Sequence, residues 1–204
     1  MNKPVKESIM YRLVKRAGFE LPPEYARINL LQVIVFCLKD WKNNFFSQLA
    51  KRSILFGNTL SLHWTRQFYH RLRGVRIGRN TRIAEECMLG FSHPEMITLE
   101  DDVAISAKCM LLEHKRDLSL YRHGESIMQC NYVTDSITLR KGCFLGIGSI
   151  VMPGVEVGEG AIVGAGSVVH ESVGAYQVVQ GNPAKVIFEF PKKRTDEKTI
   201  DESE

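Results

Sequence analysis

Six histidines, at 63, 70, 93, 114, 123 and 170, are the side chains in this sequence best suited to moving a proton near neutral pH. A free imidazole titrates at roughly pH 6.5. His114 opens a long stretch, "LLEHKRDLSLYRHGESIMQCNYVTDSI", that breaks an otherwise regular pattern. A neutral histidine at that place can take the proton of an attacking group, and a neighbour that fixes its tautomer would make it a better base. Glu113, Asp117 and Glu125 are close enough in sequence to be that neighbour, as is a backbone carbonyl. His123 shares the stretch and is the next residue to consider. His93 reads as a turn residue beside Pro94, His63 and His70 fall in a basic helical part, and His170 reads as an exposed corner residue. No two histidines are five apart and no CxxC pair occurs, so neither a His-x4-His zinc site nor any other metal is expected.

The pattern that His114 interrupts is a beat of six. Leu139, Leu145, Val151, Val157, Val163 and Val169 recur at that interval. Four places after each stand Cys143, Ser149, Val155, Ala161, Ser167 and Val173 in turn. Residues two apart on a strand face one side, so each small residue and the next aliphatic both point inward. Gly146, Gly158 and Gly164 follow beat residues where a sharp corner is needed. A strand and a corner every six residues describe a prism-shaped solenoid of parallel coils. The same beat runs earlier through Ile77, Ile83 and Leu89, and again through Leu99, Ile105 and Leu111. Thr81, Cys87, Val103 and Cys109 take the small slots there. A short interruption spans Phe91 to Glu95. A long one lies between Leu111 and Leu139, 22 residues beyond one hexad. Insertions of that length in a solenoid gather on one face and are usually functional.

The run "LRKGCFLGIGSIVMPGVEVGEGAIVGAGSVV" followed by "VVQGNPAKVI" resembles the hexapeptide-repeat acyltransferases, closest to the branch of galactoside, maltose and polysaccharide O-acetyltransferases. The resemblance spans residues 74 to 190. It implies a mainly β fold, a left-handed parallel β-helix, working as a homotrimer with acetyl-CoA as co-substrate in the cleft between subunits. It also implies that His114 is the catalytic base, at the start of the family's loop, with Glu125 of "YRHGE" orienting it. The cofactor-binding positions it implies are Phe144, Gly146, Ile147, Ala165, Gly166 and, for a CoA phosphate, Lys185 in "GNPAK". Small residues let a pantetheine arm approach the backbone closely, and N–H groups there are natural donors to a thioester oxyanion. Phe144 stands where many members have Trp, and Glu171 where many have Lys. Lys108 replaces an Asn that contacts sugar in the galactoside branch, so a simple galactoside is not the expected acceptor.

Charge divides the chain. Residues 1–82 hold 16 Lys and Arg against 4 Asp and Glu, and residues 83–204 hold 11 against 19. The basic part carries Trp41 and Trp64 and reads as two or three helices between Pro23 and Leu72. Leu30, Leu31, Ile34, Val35 and Leu38 form one apolar face, and Pro22-Pro23 offers a start signal. Two roles are open: a cap over the solenoid's open end, or a basic, aromatic surface for anionic lipid or a lipid-linked sugar. The organisation expected is a basic helical extension over 1–73, a β-helix over 74–190 with its insertion at 112–136, and a charged tail over 191–204. The uncharged stretch between Arg27 and Lys39 is too short to span a bilayer. The first sixteen residues carry no signal-peptide pattern, and Cys87, Cys109 and Cys143 sit in inward slots, so a reducing cytoplasm is expected. Peripheral contact with the inner membrane face is the added possibility, and no nucleic-acid partner is expected. The leading function is O-acetylation of a sugar or a polysaccharide or lipid-linked glycan. The alternatives are N-acetylation of an aminosugar, or a non-catalytic scaffold. A sugar nucleotidyltransferase is excluded, because no nucleotide-binding domain or Gly-rich phosphate loop precedes the repeat.

Overall fold

A corner every six residues leaves room for strands of two or three residues, and the computed structural model is built from them. It describes residues 8–16, 26–27, 29–52 and 63–191. Helices α1 (Ile9–Arg16), α2 (Leu30–Arg52) and α3 (His63–Arg73) come first. The first coil holds β1 (Arg76–Ile77), β2 (Arg82–Ile83) and β3 (Met88–Leu89), and the second β4 (Ile97–Leu99), β5 (Ala104–Ile105) and β6 (Met110–Leu111). Then β7 (His114–Arg116) and β8 (Tyr132–Thr134) pair antiparallel as an arm. The third coil is β9 (Ile137–Leu139), β10 (Phe144–Leu145) and β11 (Ile150–Val151), and the fourth β12 (Glu156–Val157), β13 (Ile162–Val163) and β14 (Val168–Val169). A hairpin of β15 (Gln177–Gly181) and β16 (Ala184–Glu189) ends the stack.

Three parallel sheets form the faces of the prism, one strand per coil in each. Ile77, Leu99, Leu139 and Val157 are in register in the first. Ile83, Ile105, Leu145, Val163 and Val179 align in the second, and Leu89, Leu111, Val151 and Val169 in the third. A plain coil is the 18 residues from Leu139 to Val157. From Ile77 to Leu99 is four more, and from Leu99 to Leu139 is 22 more. Both surpluses leave at the same edge, where the third sheet turns into the first. Every beat residue except Ile77, which is half-buried, lies in one continuous core with the small-slot residues. Slipping one residue would turn this set to solvent, which is why the beat is strict. Cys87, Cys109 and Cys143 are buried, free thiols.

Along the strands, the ladder N–H groups of one coil donate to carbonyls of the next, as in Arg82 N to Val103 O (2.8 Å) and Phe144 N to Ala161 O (2.9 Å). The first coil's carbonyls therefore lack donors from a preceding coil, a cost of about 1–3 kcal/mol for each one buried. Helix α3 lies over them and supplies cationic and amide donors. Arg71 reaches Ile77 O (3.0 Å) and Gly78 O (3.2 Å), and Gln67 reaches Thr81 O. Arg66 reaches Ile83 O (3.4 Å), and Arg73 reaches Leu89 O (3.0 Å) and Gly90 O (2.6 Å). Much of the basic character of α3 is accounted for by these carbonyls.

Helix α2 starts at a reciprocal cap: Asn29 Oδ1 accepts from Gln32 N (2.8 Å), and Gln32 Oε1 accepts from Asn29 N (2.9 Å). The Pro22-Pro23 signal lies outside the described residues. Asn43, Ser47 and Ala50 are the buried residues of α2, whose neighbour is α3. The apolar face of Leu30, Leu31, Ile34, Val35 and Leu38 is exposed rather than turned to the core, which corrects the simple capping role for that face. Among the described residues, no helix is long and apolar enough to cross a membrane. Of the tail, only Pro191 is described.

Candidate active site

His114 begins β7, three residues beyond Leu111, the last inward aliphatic of the second coil. Glu113 lies one place before it and shares the inward parity of Leu111. Its side chain is fully buried. An isolated carboxylate there would be very costly, and the fold answers with the four-residue surplus of the first coil. Backbone N–H groups of Phe91 (2.9 Å), Ser92 (2.6 Å) and His93 (3.0 Å) all donate to the Glu113 carboxylate. Burial pushes this carboxyl up, but the N–H groups of His93, Phe91 and Ser92 outweigh it and hold it below the ordinary carboxylate range. Oε1 of Glu113 also lies 3.2 Å from Nδ1 of His114, within ion-pair reach though not aligned as a linear hydrogen bond. The His114 ring is about a quarter exposed and meets Tyr132 of β8 edge-to-face at 5.2 Å, with Arg116 stacked over the same tyrosine at 4.4 Å. The imidazole is thus fixed on its inner side and open on its outer side.

Behind Glu113 the support continues to α3. Arg73 donates to Leu89 O and Gly90 O, the residues that lead into Phe91. Its own Nη1 lies 3.2 Å from Nδ1 of His70. Burial, with Arg73 and Lys51 adding to it, pushes His70 down to about 3, so this ring is a neutral acceptor. Burial lowers Arg73 to about 10 while Glu113 opposes the change, so the guanidinium stays charged.

Glu125 is not beside His114 in this arrangement. Its carboxylate accepts from Arg122 N (2.7 Å) in the exposed tip of the arm, where His123 is also exposed. The carboxylate that the structure brings to His114 is Glu113. Its signal in the sequence is an acidic residue at inward parity, two after Leu111, with a short surplus one coil earlier. Asp117 serves its own turn, accepting from Ser119 N (3.0 Å).

The residues implied for the cofactor gather along another edge, where the second sheet turns into the third. Gly146 and Ile147 form that corner in the third coil, and Ala165 and Gly166 in the fourth. A β-carbon on Gly146 would lie 2.6 Å from Ala165 N and 2.8 Å from Val163 O, so glycine is required for the coils to stack. Gly166 N donates to Ile147 O (2.8 Å). The N–H groups of Ile147 and Ala165 make no hydrogen bond among the described residues and are free for a ligand. Lys185 pairs with Gln180 next along the same edge, and Gly181 N donates to Ser167 Oγ (3.1 Å). Lys185 and Phe144 are exposed. Within one chain, therefore, His114 and the Ile147–Ala165 edge lie on either side of the third sheet and do not converge. His170 is exposed on the same edge as His114.

Comparison with known proteins agrees with this architecture. The model of the bacterial transferase hexapeptide (six repeats) matches residues 136–171. WcaF of Escherichia coli (strain K12), assigned as a colanic acid biosynthesis acetyltransferase, is 30% identical over 187 residues, covering 85% of this chain and 95% of WcaF. The chain belongs to the hexapeptide-repeat acetyltransferases. It is an enzyme of acyl transfer. A maltose O-acetyltransferase from Clostridium difficile 630 shares the fold at TM-score 0.59 and 16% identity, covering 78% of this chain and 89% of that one. The acetyltransferase VCA0836 of Vibrio cholerae O1 biovar eltor, solved with acetyl coenzyme A, shares it at TM-score 0.52 and 14% identity, covering 74% and 87%.

Proposed function

We propose that this member of the family is a left-handed β-helix that transfers the acetyl group of acetyl-CoA to a hydroxyl of a sugar or glycan. His114 is the general base, at a site shared between subunits of a homotrimer. The observation that carries the reading is the Glu113–His114 pair: a buried, ionised carboxylate beside Nδ1 of a histidine about a quarter exposed at the mouth of the arm. With the neutral ring's proton on Nδ1, the nitrogen nearest Glu113, the Nε2 lone pair is left to accept a proton. The acceptor oxygen attacks the thioester carbonyl carbon as its proton passes to Nε2. The tetrahedral oxyanion is steadied by backbone N–H groups such as those of Ile147 and Ala165. Collapse breaks the carbon–sulfur bond, and the CoA thiolate leaves with the proton that His114 holds.

Because the histidine and the donor edge sit on different edges of one prism, the site is complete only where two chains meet. Exposed apolar side chains on the arm (Leu118, Leu120, Met128) and on β16 (Val186, Ile187, Phe188) support such association. The glycan class rests on the kinship with WcaF, whose assigned role is in colanic acid biosynthesis. Two measurements test the proposal. Thiol release from acetyl-CoA across sugars, glycans and aminosugars should be fastest with hydroxyl acceptors; release with aminosugars alone would make it an N-acetyltransferase. Co-expressing His114→Ala with Ala165→Trp chains should restore activity that neither has alone. Absence of complementation in mixed trimers would place the site within one chain and refute the shared arrangement.

A further inference from the structure

The first half of α2 is a helix with nothing described to bury it. From Leu30 to Leu38, eight of nine residues are apolar. Leu30, Leu31, Ile34, Val35, Phe36 and Leu38 are 46–69% exposed. A helix apolar all round is ordinarily buried, and an exposed apolar surface of this kind marks an interaction site. Trp41 and Phe45 extend the surface one and two turns on, stacked at 5.4 Å, and Trp64 and Phe68 of α3 are exposed as well. With the arginines of α3 taken by the first coil's carbonyls, α1 and α2 hold seven Lys and Arg against one acidic residue, Asp40. Lys39 is paired with Glu95 at 3.1 Å, and Lys42 beside it is exposed.

We propose that this surface docks the protein on an anionic lipid bilayer, with the first half of α2 entering the boundary between headgroups and acyl chains. Nine residues of helix are about 14 Å long, roughly half of a 30 Å hydrocarbon core, so α2 enters one leaflet and does not cross. Trp41 and Lys42 follow within about one turn, where aromatic rings and basic groups meet the headgroups. The charge chooses lipid over a second copy of the chain: two such faces would repel, whereas an anionic leaflet attracts them. The two roles left open for the N-terminal region thus fall to different elements, α3 over the first coil and α2 toward the membrane.

Flotation of the full chain with phosphatidylcholine vesicles, with and without phosphatidylglycerol, tests this directly. The protein should float with the anionic vesicles and less so as salt is raised. The Leu31→Gln, Val35→Gln double variant keeps the net charge and alters only exposed positions. It should lose about tenfold or more in partitioning, with its circular dichroism and thiol-release activity on a soluble acceptor unchanged. Lys42→Glu should weaken only the salt-sensitive part. The proposal is overturned if the wild-type chain ignores anionic vesicles at low salt. It is equally overturned if the double variant partitions like the wild type, or if the two glutamines change only the mass seen by light scattering, which would make the face a contact between copies.

Discussion

Replacing Glu113 with Gln removes a charge at nearly constant shape, and the surroundings allow its cost to be worked out. Three backbone N–H groups converge on the carboxylate within 3.0 Å. An amide has one oxygen, which can accept two of them; its NH2 group must then face the third. One unpaired buried N–H costs about 1–3 kcal/mol, and exchanging charge-assisted for neutral bonds at the others adds about 0.5–1 kcal/mol each, about 3 kcal/mol in all. The carboxyl is held below its ordinary range in the folded state, so its contribution is complete above that range and is lost as pH falls through the depressed value. The gap in unfolding free energy between wild type and Glu113→Gln should thus be constant from neutrality to about pH 5 and close in stronger acid.

The same substitution reports on catalysis. Loss of the group that orients a working histidine costs about 10–100-fold in activity. The loss should fall on kcat, with KM for acetyl-CoA little changed, because the donor edge is elsewhere. Glu113→Asp, which keeps the charge one methylene short, should recover part of the lost kcat. Denaturant unfolding against pH and steady-state thiol release are the assays. A folded Glu113→Gln enzyme with wild-type kcat would refute the positioning role.

Three further outcomes are expected. His114→Ala should lower turnover by about a hundredfold to ten-thousandfold while acetyl-CoA binding, measured by calorimetry, survives; near-normal turnover would shift attention to His123. Lys185→Glu should weaken CoA binding by about fivefold and leave the thermal midpoint unchanged, since exposed charge contacts are screened; unchanged affinity would remove Lys185 from the phosphate contacts. Val157→Asp puts an unpaired carboxylate into a fully buried slot and should cost about 3–5 kcal/mol or prevent folding, read by circular dichroism.

The six-residue beat carries the solenoid on its own, because every inward position must be aliphatic or small whatever its neighbours are. Leu139 to Val169 and their partner slots are buried as the periodicity predicts, and the 22-residue surplus marks where the arm leaves. His114 stands out for the same local reason, as the histidine at the mouth of that arm. Its partner does not. Glu125 and Glu113 are alike as letters, and Glu113 is distinguished by three N–H groups some twenty residues away, which belong to the backbone and leave no mark in side-chain identity. The roles of the N-terminal helices divide in the same way. Apolar periodicity in α2 promises a buried face, but whether a face is covered depends on which elements reach it. Here α3 takes the open end of the prism with its arginines, and Leu30 to Leu38 remain outside. Periodicity along the chain determines what must point inward; the folded chain alone decides which distant groups meet there and which faces are left uncovered.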